Sequence, residues 1–366
     1  MVDIKTGKRL ISLDLFRSIA IGGMVLVNNN GGEGAYAQLR HSRWHGVTFA
    51  DFVFPFFLWI AGLSIVLACH RRMSLGIPRN EVFRQAARRC LILILIGLFL
   101  AGFPRFDLAH LRFMGILQRI GLCVLITAAL DLYTSRVVRG VVLLACLVGY
   151  TALLHPGGYE RESNLSNRVD FALLGTHNSR DTVTWDTEGV LSTLPALGTC
   201  LLGALVGRRL IERQQGVSWM AAHGIVLLAL GVVVSHWQPL NKSIWTPSYV
   251  LVTGGAAELI FGALYRVVDV QGWRGKWLRP AEILGRHALA VYIFHDFFAT
   301  GLRRISADGV SLDDRLRAFW GANAPSANAK LGYAFTHLLA SLVLAFALTW
   351  YSTRRRSTPP AVPEIA

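Results

Sequence analysis

The chain alternates between apolar runs and short polar segments from end to end. Most of the apolar runs reach the roughly 17–25 residues that a helix needs to cross a bilayer. The first run contains Asp14 and Arg17 and no small-residue cleavage site, so we expect a membrane helix there and not a cleaved signal. The pattern predicts membrane helices over residues 11–28, 50–70, 88–103, 113–132, 137–154, 189–207, 218–236, 246–267, 282–302 and 331–351.

Composition favours the same fold class. Of the 366 residues, 53% are hydrophobic and 16% are charged, which is typical of a polytopic membrane protein and not of a soluble enzyme. We therefore expect an all-α polytopic membrane protein with about ten transmembrane helices. A single transmembrane domain is expected over residues 1–356 and a disordered cytoplasmic tail over 357–366. The cysteines lie singly in apolar runs, which predicts neither a disulfide framework nor a metal site.

The net charge of +15 is explained by topology and does not require a nucleic-acid partner. With the N-terminus inside, the inner segments hold about 21 Lys and Arg residues against about 13 in the outer loops, as the positive-inside rule requires. This predicts that the N-terminus and the C-terminus are both cytoplasmic. In the outer loop after residue 302, a short amphipathic helix is expected near Leu312–Trp320.

Candidate chemistry begins in the outer loop after the first helix. Three asparagines starting at Asn28 end that helix, and His41, Trp44 and His45 follow before Asp51 opens the second helix. A neutral imidazole is the usual general base of enzymes. An asparagine amide can donate a hydrogen bond to a developing oxyanion. The loop therefore combines the groups that acid–base catalysis needs, although a loop histidine is more often merely solvated.

Other predicted outer helix ends carry groups that suit a sugar site, namely carboxylates, amides and tryptophans. Tryptophans also line membrane interfaces for structural reasons. Ionisable groups inside a membrane helix are costly and usually functional, which favours a role for His295 and its neighbour Asp296. The candidates at these ends are Asp186, Glu188, Asn241, Lys242, Trp245 and His295, and Trp44 of the first outer loop is a further candidate for binding the substrate.

Two arginines inside predicted helices, Arg17 and Arg119, are candidates for holding a phosphorylated ligand, because guanidinium groups bind phosphate well. The alternative is a structural ion-pair network. Arg17 lies three residues from Asp14, a spacing at which the two side chains can pair.

Six segments between about Arg9 and Phe298 carry recognisable motifs in a defined order. They are RLISLDLFRSIAIGGMVLVNN, HSRWHGVTFADFVFPFFLWIAGLSI, LRFMGILQRIGLCVLI, EGVLSTLPALGTCLLGALVG, LNKSIWTPSYVLVTGG and GRHALAVYIFHDFF. The most specific pattern is H-x-x-W-x-G-x-T-x-x-D-x-V-F-P, which starts at His41. By these motifs and their order, the chain resembles the heparan-α-glucosaminide N-acetyltransferase family of membrane acetyltransferases, including its bacterial members.

The resemblance implies transfer of an acetyl group from cytosolic acetyl-CoA to a glucosamine-type amine on the outer side, with no metal. It implies that His41 is the active-site histidine and Asn28 the catalytic asparagine, with Asn29 as a competitor. Asp51 or Asp296 could orient the imidazole. Asp186, Glu188, Asn241 and Trp245 would contact the sugar, and Arg17 and Arg119 the CoA phosphates.

The expected location is a bacterial inner membrane, and a homodimer is expected by analogy with the family. The acceptor is an amino sugar or glycan whose identity stays open. The sequence also leaves open whether transfer is direct or passes through an acetyl-His41 intermediate. The alternative function is a proton-coupled transporter of amino sugars that uses His41, His295 and Glu258.

Overall fold

The computed structural model describes residues 9–30, 32–178, 185–212 and 217–357. Almost all regular structure in these ranges is helical, which confirms the all-α prediction. A disordered tail is expected over 357–366, and residues 358–366 of it lie outside the described ranges. The helices are α1 (Ile11–Asn28), α2 (Phe49–Ser74), α3 (Arg79–Gly102), α4 (Ile116–Tyr133), α5 (Arg136–Leu144), α6 (Tyr150–Leu154), α7 (Leu165–Leu174), α8 (Thr193–Glu212), α9 (Val217–Val234), α10 (Pro247–Leu264), α11 (Arg279–Arg286), α12 (Ala288–Arg304), α13 (Leu312–Asn323) and α14 (Ser326–Ser357).

Short irregular elements complete the fold. A π-helical stretch, Ala145–Gly149, joins α5 to α6, and another, Tyr265–Val270, extends α10. The strands β1 (Ser306–Ala307) and β2 (Val310–Ser311) form an antiparallel pair. Short 3₁₀ turns cover Ala37–Leu39, Leu108–His110, His155–Gly157, Gly175–His177 and Lys276–Leu278.

Nine helices in the described ranges are long and apolar enough to cross a membrane, judged by length and composition. The difference from the predicted ten lies in the segment 282–302. There the backbone leaves the helical conformation at His287 (φ −105°, ψ 21°), and the segment becomes the two helices α11 and α12. Hydropathy averages over such a break and therefore does not detect it. The amphipathic helix expected near Leu312–Trp320 is present as α13.

The chain divides into two compact units. The first is the chain up to Leu13 together with His41–Gly272, and the second is Asp14–Arg40 together with the chain from Trp273 onward. The single domain expected over residues 1–356 stays a prediction.

In the first unit, α2, α4, α8 and α10 are the most buried helices, while α3 and α9 are mainly exposed. Arg119, near the start of α4, bonds to Gly189 and Ser192, which precede α8. Asp131, near the other end of α4, pairs with Arg208 near the end of α8. The two helices therefore run parallel, as the predicted topology requires of the fourth and sixth membrane segments.

Small residues allow α2 and α8 to pack closely. A Cβ atom on Gly62 would overlap the carbonyl of Cys200, and one on Gly203 would overlap the carbonyl of Trp59. Small residues serve this purpose in membrane helix pairs because dispersion contacts replace the hydrophobic effect there.

The second unit is organised around α14, which contacts α11, α12 and α13. Glycine again permits close approach. Gly285 of α11 faces the backbone of Asp14 in α1, and Gly22 of α1 faces Leu284 and Leu338. This unit therefore carries the C-terminal end of α1, where Asn28 lies.

Candidate active site

His41 lies in the loop before α2, in the first unit, and its side chain is 46% exposed. Its Nδ1 atom lies 2.8 Å from Oδ1 of Asp51, which is fully buried. Every other contact of this carboxylate comes from a donor group, so the carboxylate is the acceptor and Nδ1 carries the ring proton. Nε2 therefore keeps a lone pair and can accept a proton from a ligand.

Asp51 is fixed by the local structure of the helix start. Thr48 is the N-cap of α2 and Asp51 is the third helical residue, and the two form a capping box. The second carboxylate oxygen, Oδ2, accepts from the backbone N–H groups of Ser42 (3.1 Å) and Thr48 (3.0 Å) and from the Thr48 hydroxyl (3.2 Å). One carboxylate thus closes the loop, caps the helix and orients His41.

Lys242, in the loop between α9 and α10, is the second charged group at His41. Its Nζ atom lies 3.1 Å from Nδ1 and 3.3 Å from Nε2 of His41. The same atom is 3.8 Å from Oδ1 of Asp51. Burial lowers the pKa of Lys242, while the carboxylates of Asp51 and Glu188 act in the opposite direction.

The loop that carries Lys242 is held by its neighbours. Asn241 accepts from the N–H of Ile244 (3.1 Å) through Oδ1, and its amide nitrogen lies 3.3 Å from Nδ1 of His45. The backbone N–H of Gly46 donates to the carbonyl of Leu240 (2.8 Å). Asn241 is fully buried. Its contacts connect the loop of Lys242 to the loop of His41.

The two tryptophans proposed as sugar contacts are buried in the first unit. Trp245 is fully buried and its indole N–H donates to Thr199 Oγ1 (3.1 Å). Trp44 is 9% exposed, donates to the carbonyl of Tyr159 (2.9 Å) and packs against Tyr150 and Ile244. Both side chains stabilise the loops that hold His41 and Lys242, and their sugar contacts stay a prediction.

The two carboxylates of the acidic pair before α8 are bridged by Arg112. This side chain bonds to both Asp186 and Glu188. Burial alone would raise the pKa of Glu188, but the charges of Arg112 and Arg119 outweigh it and lower the pKa to about 2. Burial would lower the pKa of Arg112, and the two carboxylates raise it instead. The carboxylates proposed to bind sugar are thus already paired with a cation.

Arg119 is fully buried in the first unit. Its Nη2 atom donates to the carbonyl of Gly189 (3.0 Å) and to Ser192 Oγ (2.5 Å), and its guanidinium lies over the ring of Trp245 at 5.1 Å. Its Nε and Nη1 atoms have no hydrogen-bond partner within the described ranges. These contacts hold the start of α8, and a role in CoA binding stays a prediction.

In the second unit, Asn28 contacts His295. His295 donates from Nδ1 to the carbonyl of Tyr292 (3.0 Å), so its Nε2 accepts from the amide of Asn28 (3.4 Å). Asn28 is exposed, whereas Asn29 is buried and donates to the carbonyl of Val25 (2.8 Å). Of the two competing asparagines, Asn28 is therefore the one available to a ligand.

Arg17 also belongs to the second unit. Its Nη1 atom lies 3.1 Å from Oδ1 of Asp14, which confirms the pairing expected from their spacing. Its proposed contact with the CoA phosphates stays a prediction.

Sequence reasoning missed Arg112 and Asp170. Arg112 lies in the loop before α4, far along the chain from its two acidic partners. Asp170 lies in α7, and its Oδ1 accepts from the N–H of Val190 (2.7 Å), which lies just before α8. No sequence pattern close to Arg112 or Asp170 predicts either contact. The T-x-x-D capping signature at Thr48 is a local signal that predicts the setting of Asp51.

The fold and these contacts define a polytopic membrane protein with a loop histidine whose Nδ1 atom contacts a buried carboxylate. The chain belongs to the heparan-α-glucosaminide N-acetyltransferase family. The family model described as "Heparan-alpha-glucosaminide N-acetyltransferase, catalytic" matches residues 9–237.

Two curated relatives carry the same name, "Heparan-alpha-glucosaminide N-acetyltransferase". The chain is 30% identical to the one from Homo sapiens, with 79% of this chain and 53% of the relative covered. It is 27% identical to the one from Mus musculus, with 80% of this chain and 54% of the relative covered. The chain therefore spans about half the length of the curated relatives it matches.

Proposed function

We propose that this protein is a membrane N-acetyltransferase that moves an acetyl group from cytosolic acetyl-CoA to the amine of an amino sugar on the outer side of a bacterial inner membrane. The family membership and the names of the relatives support the reaction class. The single observation that carries the proposal is the contact between His41 and the buried carboxylate of Asp51.

In this proposal His41 is the general base. Its Nε2 atom takes a proton from the acceptor amine as the amine nitrogen attacks the thioester carbonyl. The new C–N bond replaces the C–S bond, and CoA leaves as the thiolate, which then takes up a proton. Asp51 stabilises the imidazolium that forms on His41, as the orienting carboxylate of a catalytic triad does.

Asn28 supplies the oxyanion donor in this mechanism. One N–H of its amide contacts His295, and the second N–H is left for the developing oxyanion. The loss of one such donor typically costs about 3–4 kcal/mol of transition-state stabilisation. His295 would then position Asn28 as well as contact the acceptor.

The test compares purified wild-type protein with the His41→Ala variant in proteoliposomes. With labelled acetyl-CoA and glucosamine, we expect the variant to lose at least about 100-fold in acetyl transfer, because a general base contributes roughly 10²–10⁴-fold. His45→Ala is the matched control, since His45 lies in the same loop and bonds to Glu160 and Asn241. Transfer by His41→Ala at the wild-type rate would overturn the proposal.

A covalent variant of the mechanism has the same residues but an acetyl-His41 intermediate. Incubation with labelled acetyl-CoA without acceptor, followed by mass spectrometry of the peptide that contains His41, separates the two routes. Acetylated His41 supports the intermediate, and its absence during active turnover supports direct transfer.

The second candidate is a proton-coupled transporter of amino sugars. A specific observation favours it: Glu258 is fully buried in α10, and its Oε2 atom lies 2.7 Å from Nδ1 of His223 in α9. Ionisable groups in membrane helices often carry protons. Uptake of labelled glucosamine into proteoliposomes without any acyl donor would favour the transporter.

A further inference from the structure

The position of Lys242 relative to the ring of His41 is unusual for a hydrogen-bond donor. Its ammonium nitrogen is nearly equidistant from the two ring nitrogens, at 3.1 Å and 3.3 Å. In the ring plane this position would clash with Cε1, so the ammonium lies off the plane, over the ring. There it cannot point along the lone pair of Nε2, and it acts on His41 mainly as a charge.

The ring of His41 lies between one negative and one positive side chain, Asp51 and Lys242. Asp51 provides one negative charge, and its Oδ1 atom faces both the Nδ1–H of His41 and, at 3.8 Å, the ammonium of Lys242. Two further charged groups act electrostatically on Lys242, namely Glu188 and Arg119. Glu188 also forms an ion pair with Arg112. A proton on Nε2 of His41 would therefore place a second cation beside Lys242, and among the described residues Asp51 is the only carboxylate within 4 Å of either group.

We infer that Lys242 is a positioning residue that keeps His41 neutral and ready to accept a proton, and that it is not primarily a contact for the sugar. The inference rests on the proposed function, because it assigns a task to Lys242 within that reaction. Like charges in close contact disfavour the charged form of a titratable group.

Lys242 also acts after the transfer step. The N–H bond of the acceptor amine breaks and an N–H bond forms at Nε2 of His41. The resulting imidazolium is repelled by Lys242, and this repulsion favours loss of the Nε2 proton to the CoA thiolate or to water. The base is then regenerated for the next turnover.

The direct test measures the protonation of His41 without any turnover. Diethyl pyrocarbonate reacts with neutral imidazole and not with imidazolium, and mass spectrometry of the peptide that contains His41 gives the fraction of His41 modified at each pH. In Lys242→Met and Lys242→Gln, we expect the midpoint of modification to move to higher pH than in wild type, because a nearby positive charge has been removed. Lys242→Arg keeps the charge and is expected to match wild type. His155, which is exposed, is the internal reference.

Kinetics provide the second readout. The acid limb of the pH–rate profile at saturating acceptor should move to higher pH in the Met and Gln variants and stay in place in the Arg variant. Unchanged His41 modification in both neutral variants, with only a higher KM for the acceptor, would overturn the inference. Gel filtration and thermal melting of each variant show that the comparison is made on folded protein.

The two proposals fail in different ways. If His41→Ala transfers acetyl groups like wild type, the proposed function is wrong, whatever the modification profile shows. If His41→Ala is inactive but the neutral Lys242 variants leave the modification profile unchanged, only the inference about Lys242 is wrong.

Discussion

The carboxylate of Asp51 accepts hydrogen bonds from Ser42, Thr48 and His41 while it lies fully buried at the start of α2. Its orientation is fixed by the helix cap, and the orientation of the imidazole follows from it. In the proposed mechanism, activity is therefore coupled to local structure, because a change at Asp51 alters the tautomer of His41 and the stability of the helix start together.

Replacement of Asp51 by asparagine tests this coupling. The amide cannot accept from all of the present donors, so the Nδ1–H of His41 loses its acceptor and the tautomer with a proton on Nε2 becomes favoured. We expect acetyl transfer to fall by about 10²–10⁴-fold. The loss of the cap adds a destabilisation of about 1 kcal/mol, so activity is normalised to folded protein. Asp308→Asn, in the exposed hairpin, is the control, and activity of Asp51→Asn within twofold of wild type would contradict the mechanism.

At the scale of helices, α2 and α8 depend on glycine for their close approach. Gly203 faces the backbone of Trp59, and any side chain there must push the two helices apart. The starts of both helices are close to candidate site residues. Asp51 lies in the first turn of α2, and Arg119 of α4 binds the segment that leads into α8.

We expect Gly203→Ala to destabilise the protein by about 1–3 kcal/mol, because overpacking of an interior forces backbone shifts. Thermal melting in detergent measures the effect. Gly140→Ala in α5 is a matched control, since a Cβ atom there has no neighbour within 4 Å. Equal melting temperatures for the Gly203 and Gly140 variants would show that the α2–α8 contact tolerates separation.

Asp170, which binds the segment just before α8, also makes the stability of the protein depend on pH. Burial raises the pKa of Asp170 to about 6, above its ordinary value of 3.8. A group with a raised folded-state pKa favours the folded state below its ordinary pKa, and this contribution is lost as the pH rises through 6. At neutral pH the charged, buried carboxylate therefore weakens the contact between α7 and the segment that precedes α8.

Asp170→Asn removes this charge. Relative to wild type, we expect the variant to be more stable at pH 7.5 than at pH 5, with a difference of at most about 3 kcal/mol. Thermal melting at the two pH values measures it. Asp308→Asn on the exposed hairpin should show no such pH dependence. A difference of the opposite sign would indicate that Asp170 is stabilised as a charged partner of Arg119.

At the scale of the whole molecule, the predicted orientation puts the loop after α6 outside and the loop after α2 inside. Single cysteines at Ser163 and Ser74 test this, because both positions are exposed and the native cysteines are all buried. In intact bacterial cells, an impermeant maleimide should label Ser163→Cys and leave Ser74→Cys unlabelled until the membrane is opened. The reverse labelling would invert the orientation and place His41 on the cytoplasmic side.

The membrane class, the approximate span positions, the amphipathic α13 and the family follow from the order of residues along the chain. Hydropathy and motif order can be read along the chain without any knowledge of tertiary contacts. The errors of the prediction also arose in local stretches of sequence. The hydrophobic average over residues 282–302 hid the break at His287, and the charged residues before residue 88 hid the early start of α3 at Arg79.

The partners of the candidate groups are visible only in the folded chain. Asp186 and Glu188 looked free for a sugar until Arg112, some 70 residues earlier in the chain, was found to pair with both. Lys242 looked like another sugar contact until it was found over the ring of His41. Pairing of this kind depends on which loops meet in space, and no spacing along the chain encodes it.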